Sequence, residues 1–410
     1  MQKERKYVIL VGDGMADRPL EELGGRTPLE AARTPWMDQL AKGGELGLAV
    51  TIPQGFPPGS EIANLSILGY DPVLYYTGRG PLEAASIGVE LAPEDVAFRC
   101  NLVTLRPSDG RWVMADYSAG HIPSEEARQI ISDLEATLGG GPFSFFPGVG
   151  YRHLLIWRRG RDHLETTPPH DIMGREVGAY LPRGEGAKEL LELIEAAREV
   201  LEGHPVNRRR SRQGKPPANS IWPWGQGRKP RMPTLQERYG LRGRVVAAVD
   251  LIKGIGIYAG LEPIQVPGAT GWLDTDYRAK ADYGLEALEQ GELLYLHVEA
   301  PDEASHMGDL EEKIRAIERF DQDVVRRVVE GMRKKGWSFR LMVITDHPTP
   351  LQLRTHVAEP VPFLIYDSSG GSSGGFRAFS EREAERGIFL KEGFRLLDRL
   401  VQGDGGTHQE

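Results

Sequence analysis

The chain has almost no cysteine. A single residue, Cys100, excludes an intramolecular disulfide and any cysteine-based zinc cluster, so nothing calls for an oxidising compartment, and buried filler is its expected role. Long apolar runs are also missing. The start, "MQKERKYVILVGDGM", offers only "YVILV" before Gly12 and Asp13, too short for a signal peptide or a membrane span, so a cytoplasmic protein with no membrane partner is expected. Positive charge is not in excess: 50 Lys and Arg stand against 59 Asp and Glu, a net charge of -9, which disfavours nucleic acid as a partner. No internal repeat is visible, and "DSSGGSSGGF" (367–376) reads as a flexible loop by composition.

What is present is an ordinary globular composition, 40% hydrophobic and 27% charged, in 410 residues, more than one core usually serves. Apolar runs of strand length recur, each ending in polar residues: "YVILV", "VVAAV", "LLYLHV", "LMVIT" and "VPFLIY". Continuous apolar strands suggest a sheet buried on both faces. Residues 310–336 read as a helix, with Ile314, Ile317, Phe320, Val324 and Val328 at a 3.6-residue period. This alternation predicts an α/β class. The middle carries weaker strand signals and the Arg/Pro/Gly-rich "NRRRSRQGKPPANSIWPWGQGRKPRMP". It is therefore expected to be a domain spanning 76–235, inserted into one made of 1–75 and 236–410.

Three of the apolar runs deliver a carboxylate where they stop: Asp13, Asp302 and Asp346. Ligands gather outside the carboxyl ends of parallel strands, so these distant residues could converge. His306 follows Asp302 by four residues and shares its face if a helix starts there; His347 adjoins Asp346; His356 follows in "LRTHVAEP". Six mixed carboxylate and imidazole groups suit two ions such as Mn, Zn, Fe or Mg. Taken singly, a strand-end Asp is more often a turn former and a lone His more often hydrogen-bonded core. In "GFPPGSEIANLSILGYDP", Ser60 reads either as a helix N-cap or as a nucleophile.

The segments "VGDGMADRPLEELGGRTPLEAARTPWMDQLAKGG", "PPGSEIANLSILGYDP", "YYTGRGPLEA", "APDEASHMGD" and "TDHPTP...RTHVAEPVPF" together resemble the archaeal-type, 2,3-bisphosphoglycerate-independent phosphoglycerate mutases of the alkaline phosphatase superfamily, over nearly the whole chain. The resemblance implies an alkaline-phosphatase-like core, a mostly parallel sheet flanked by helices, with an inserted α+β domain acting as a substrate-binding lid. It implies one divalent metal on Asp302, His306 and His356 and another on Asp13, Asp346, His347 and the Ser60 hydroxyl, Mn first, with Mg, Zn or Co as alternatives and no 2,3-bisphosphoglycerate. Ser60 would accept the phosphoryl group, Lys253 would contact phosphate and His121 would face the substrate, a small phosphorylated molecule. The protein would be a monomer or a homo-oligomer.

Candidates for the substrate's carboxylate and phosphate are Arg152 and His153, His170 and Asp171, and the cationic run with Arg208, Arg209, Arg210 and Lys215, since guanidinium forks fit both anions. The plainer reading of that run is a solvated basic face. Trp222 and Trp224 read as hydrophobic anchors between domains. Two other functions stay open. "WPWGQG" and "PLEAASIGVEL" look closer to a bacterial branch of the family for which homoserine phosphorylation has been proposed, and a non-catalytic metal- or phosphate-binding module would leave Ser60 without a role.

Overall fold

In the computed structural model, residues 5–370 and 375–403 are described, so 371–374 of the glycine-serine loop lie outside the described residues. The chain forms two compact units, Met1–Tyr76 with Arg231–Glu410, and Thr77–Pro230. Residues 231–235, drawn into the insert by the sequence, belong to the first unit. There the Pro233 carbonyl accepts from the Tyr70 hydroxyl, and Thr234 caps the helix Leu235–Tyr239.

The first unit is built on eight strands: β1 (Lys6–Gly12), β2 (Glu45–Ala49), β3 (Gly243–Val246), β4 (Leu261–Pro263), β5 (Leu293–Val298), β6 (Phe339–Ile344), β7 (Val361–Asp367) and β8 (Ile388–Leu390). Their order is β4-β3-β5-β1-β6-β7-β2-β8. Strand β7 alone runs against its neighbours. Val8 to Val11 are wholly buried, as a central parallel strand covered on both faces requires.

Alternation sorts the two faces. Val8, Leu10, Leu294, Leu296, Leu341 and Val343 share a core with Met37, Phe320, Val324 and Val328 from the helices of that side. Tyr295 and His297 point the other way, where the Tyr295 hydroxyl bonds Asn64 of helix α1 (Ser60–Ile67). Helix α2 (Asp250–Tyr258) packs on α1. The helix expected over 310–336 is Leu310–Arg319, a π-helical turn Phe320–Val325, and Arg326–Lys334. Buried in that turn, Asp321 turns its carboxylate to the backbone N–H groups of Met37 and Trp36 at 2.7 and 3.3 Å, at the start of the helix Pro35–Lys42, where Thr34 makes no side-chain cap.

The second unit is an antiparallel sheet around the long strand Val96–Ser108, which pairs with Arg152–Trp157, Arg111–Asp116 and Ser220–Gly227, while Phe143–Val149 extends it. Helices Ser124–Leu138 and Ala187–Glu202 bury Ile130, Ile131, Leu134, Leu190 and Leu193 in a shared core with Phe98, Cys100 and Leu155. Trp222 and Trp224, expected as anchors between domains, lie within this unit's own core beside Val103, Leu105 and Met114, because alternate residues of Ser220–Gly227 face inward. Their indole N–H groups donate to the Thr167 carbonyl and to Asn101 Oδ1.

Candidate functional site

Strand register places the site. Val11 of β1 stands beside His297 of β5 and beside Ile344 of β6, so the chains leaving β1 and β6 carry Asp13 and Asp346 off the sheet at one level. After β5 the chain enters α3 (Ala300–Met307), whose 3.6-residue turn puts Asp302 and His306 on one face, with His306 Nε2 3.0 Å from Asp302 Oδ2. His356 Nε2 approaches the same oxygen at 3.4 Å and His306 Nε2 at 3.0 Å, and its ring stacks on His347 with centroids 3.9 Å apart.

Asp13, Asp346 and His347 form one group of converging donor atoms, and Asp302, His347 and His356 another. His347 Nε2 lies 3.5 Å from Asp13 Oδ1, 3.5 Å from Asp346 Oδ2 and 3.1 Å from Ser60 Oγ. Ser60 is the first residue of α1, one place inside the expected cap: Gly59 is the N-cap, and the hydroxyl makes no capping bond. Asn64, one turn on, donates to the Ser60 carbonyl at 2.8 Å and to Asp346 Oδ2 at 3.0 Å, joining helix and strand end. Asp346 Oδ1 accepts from the N–H groups of His347 and Gly14.

The electrostatics suit cations. Burial, with the carboxylates of Asp346 and Asp302 close by, pushes Asp13 well above the ordinary carboxyl range. Burial opposes the ionised form of Asp346 too, but His347 and His297 outweigh it and hold that carboxyl low; His306 and His356 do the same for Asp302. The Asp302 carboxylate in turn lifts His306 to about 9, while burial lowers His347. Asp13 Oδ1 is buried without a hydrogen-bond partner among the described residues. His306 Nδ1 lies 3.0 Å from the Arg354 carbonyl, and its Nε2 faces His356 Nε2. Clustered carboxylates, an orphaned oxygen and converging imidazole nitrogens are the donor chemistry a pair of divalent ions would satisfy. Lys253, on α2, is held by Asp250 at 3.3 Å.

The second unit gathers other candidates. Tyr117, His121, Tyr151 and His170 form a ring cluster with centroids 5.5–6.4 Å apart, and His170 also meets Trp224. The guanidiniums of Arg79 and Arg99 lie over Trp224 at 5.5 and 5.1 Å, and that of Arg152 over Tyr151. Burial, then Arg79 and Arg152, pulls Arg99 down against the pull of Glu83, its partner at 3.1 Å; burial likewise lowers His170. His121 is exposed at φ 48°, Asp171 pairs with His170 at 3.5 Å.

Others fall elsewhere. His153 is 2% exposed, its Nδ1 accepts from the Gly148 N–H, and burial drops it to about 3, because its strand is covered on both faces from His153 to Trp157. Arg208, Arg209 and Lys215 are exposed on and after the helix Pro205–Arg212, a solvated basic face, and Arg210 is buried against Glu126 at 2.6 Å. The sequence reading missed Asn64, His297, Arg79, Arg99, Tyr117 and Tyr151. Two had a signal: Asn64 sits four residues after Ser60, and Arg99 is a charge inside the apolar stretch "VAFRCNLV".

A family model for 2,3-bisphosphoglycerate-independent phosphoglycerate mutase matches residues 41–207. A Geobacter sulfurreducens protein named probable 2,3-bisphosphoglycerate-independent phosphoglycerate mutase is 53% identical, over 97% of this chain and 99% of its own. A Methanosarcina acetivorans protein, named as that mutase without qualification, is 52% identical over 97% and 100%. Of solved structures, a Pyrococcus horikoshii protein is similar at TM-score 0.83 and 30% identity, covering 98% of this chain and 97% of its own. The cofactor-independent phosphoglycerate mutase of Thermoplasma acidophilum follows at TM-score 0.68 and 26%, covering 98% and 100%.

Proposed function

Since the chain belongs to the 2,3-bisphosphoglycerate-independent phosphoglycerate mutase family, we propose that it interconverts 3- and 2-phosphoglycerate through a phosphoserine on Ser60. The observation that carries this reading is the Ser60 hydroxyl, 3.1 Å from His347 Nε2 at the edge of the carboxylate and imidazole cluster. Asp302, His306 and His356 would hold one cation and Asp13, Asp346, His347 and Ser60 the other. Two divalent ions, Mn2+ in our reading, supply neutralisation of the phosphoryl oxygens and a lowered hydroxyl pKa when bound.

Ser60 Oγ attacks phosphorus in line; its bond to phosphorus forms as the bond to the glycerate oxygen breaks. The freed glycerate turns, and its other hydroxyl reverses the exchange, so neither water nor a second phosphate donor enters. The N-terminus of α1 favours the anion at Ser60, and Lys253, from the helix packed on α1, is read as a phosphate contact. Arg79, Arg99 and Arg152, gathered over the rings of Trp224 and Tyr151, are read as the cations for the carboxylate and phosphate, with His121 and His170 beside them. That unit is read as the lid that keeps glycerate in and water out, since a wet phosphoserine would hydrolyse.

The test is mass spectrometry of Mn2+-loaded protein quenched with substrate. Phosphate on Ser60, its loss in Ser60→Ala with the fold intact, and turnover of 3-phosphoglycerate support the reading. Absence of mutase turnover beside ATP-dependent phosphorylation of homoserine overturns it.

A further inference from the structure

Behind the two central carboxylates lies a buried chain of groups. His297 is wholly buried at the end of β5, with Nε2 3.7 Å from Asp13 Oδ2 and 3.7 Å from Asp346 Oδ2, and Nδ1 3.5 Å from Glu299 Oε1. Neither ring nitrogen has a hydrogen-bond partner among the described residues. Glu299 is itself pinned. Its Oε1 accepts from the N–H groups of Ala248 and Val249 at 2.8 and 3.3 Å, and its Oε2 pairs with Lys280, which also donates to the His297 carbonyl at 3.0 Å. Lys280 and Glu299 are 0% and 2% exposed.

A buried imidazole costs free energy unless its polar edges are used, and a buried ion pair is weak evidence of stabilisation alone. Here the pair borders one edge of a ring whose far edge faces acceptor oxygens 3.7 Å away. The two oxygens of Asp13 divide accordingly: Oδ1 lies toward His347, and Oδ2 lies toward His297. A donor on one oxygen of a carboxylate fixes its rotation and so aims the other. Glu299 meanwhile holds the backbone immediately before α2, the helix that carries Lys253.

Resting on the metal reading above, we infer that His297 is a positioning residue: its Nε2 edge, facing Asp13 Oδ2, turns Asp13 Oδ1 toward the cation site, while Glu299 at its Nδ1 edge and Lys280 at its carbonyl set the ring's place and tie it to the start of the Lys253 helix. Nothing in the mechanism requires His297 to touch substrate.

The experiment is equilibrium dialysis of metal-stripped full-length protein against Mn2+, with thermal melts in chelator and in Mn2+. Wild type is expected to bind two ions. His297→Gln should weaken one site by roughly 10- to 100-fold and spare the other, and the rise in Tm given by Mn2+ should shrink. Glu299→Gln, which faces neither carboxylate, should shift affinity the same way by less. A residue that only fills the core would lower Tm equally with and without Mn2+ and leave both affinities unchanged; that result in folded His297→Gln overturns the inference. If that variant does not fold, Glu299→Gln decides, and unchanged affinity there overturns it. Failure of wild type to bind Mn2+ would instead sink the metal reading.

Discussion

Lys313 offers a demanding test of how the site's loops are held. Its ammonium is wholly buried and donates to Asp17 Oδ2 at 2.8 Å, to the Thr349 carbonyl at 3.0 Å and to the Ala16 carbonyl at 3.4 Å. Ala16 lies on the loop after Asp13 and Thr349 on the loop after His347. Lys313→Met keeps the volume and removes the charge. Among the described residues, Asp17 then keeps the N–H groups of Leu351 and Arg18 in a buried setting, and two carbonyls lose a donor. Breaking a buried pair from one side costs about 3–5 kcal/mol, so the opening constant should rise by roughly two to four orders of magnitude. Urea-dependent hydrogen exchange of β1 and β6 amides reads the first unit without the inserted one. Adding Asp17→Asn should recover part of the loss, since the orphaned charge is gone. A loss below about 1 kcal/mol, or strict additivity of the two substitutions, would refute the reasoning.

Asp321 carries a pH signature: burial, eased by the N–H groups of Met37 and Trp36, raises it from 3.8 to about 6. The folded chain therefore holds this proton more tightly than the unfolded one, so its stabilising contribution is complete below pH ~4 and lost as pH rises through ~6. In urea titrations, Asp321→Asn should gain on wild type across that window; a constant difference would contradict the sign. For His153, the buried setting predicts that His153→Gln lowers stability by about 1–3 kcal/mol and leaves KM unchanged, whereas a raised KM at unaltered stability would return it to the substrate face.

Much of the first unit was legible because strands buried on both faces read as unbroken apolar runs. The same logic hides the second unit. Val96–Ser108 is its longest strand, yet Arg99, Asn101 and Thr104 interrupt its apolar residues, and their partners are Glu83 of a helix, the Trp224 indole and the Pro217 carbonyl. Asp13 and Asp346 stood out as polar residues at the ends of such runs, and the spacing of Asp302 and His306 already implied a shared helical face. His297 was invisible because it sits inside its run, "LLYLHV", where a histidine reads as core; only the register beside Val11 reveals what it faces. The Ser60 boundary was misread by one residue, since glycine caps a helix as serine does. Composition alone marked the run at Arg208 as basic without separating Arg210, which is buried on Glu126, from its solvated neighbours.

The sheet order has a consequence for how the chain is made. Strand β1 leaves the ribosome long before either of its neighbours, β5 and β6: Tyr7 pairs with Leu293 and Arg340. An apolar segment with two open edges must therefore wait through the synthesis of the whole inserted unit, whose own strands are contiguous and can close first. That order leaves β1 exposed to wrong partners in the interval, and puts Asp13 and Asp346 among the last groups of the first unit to meet.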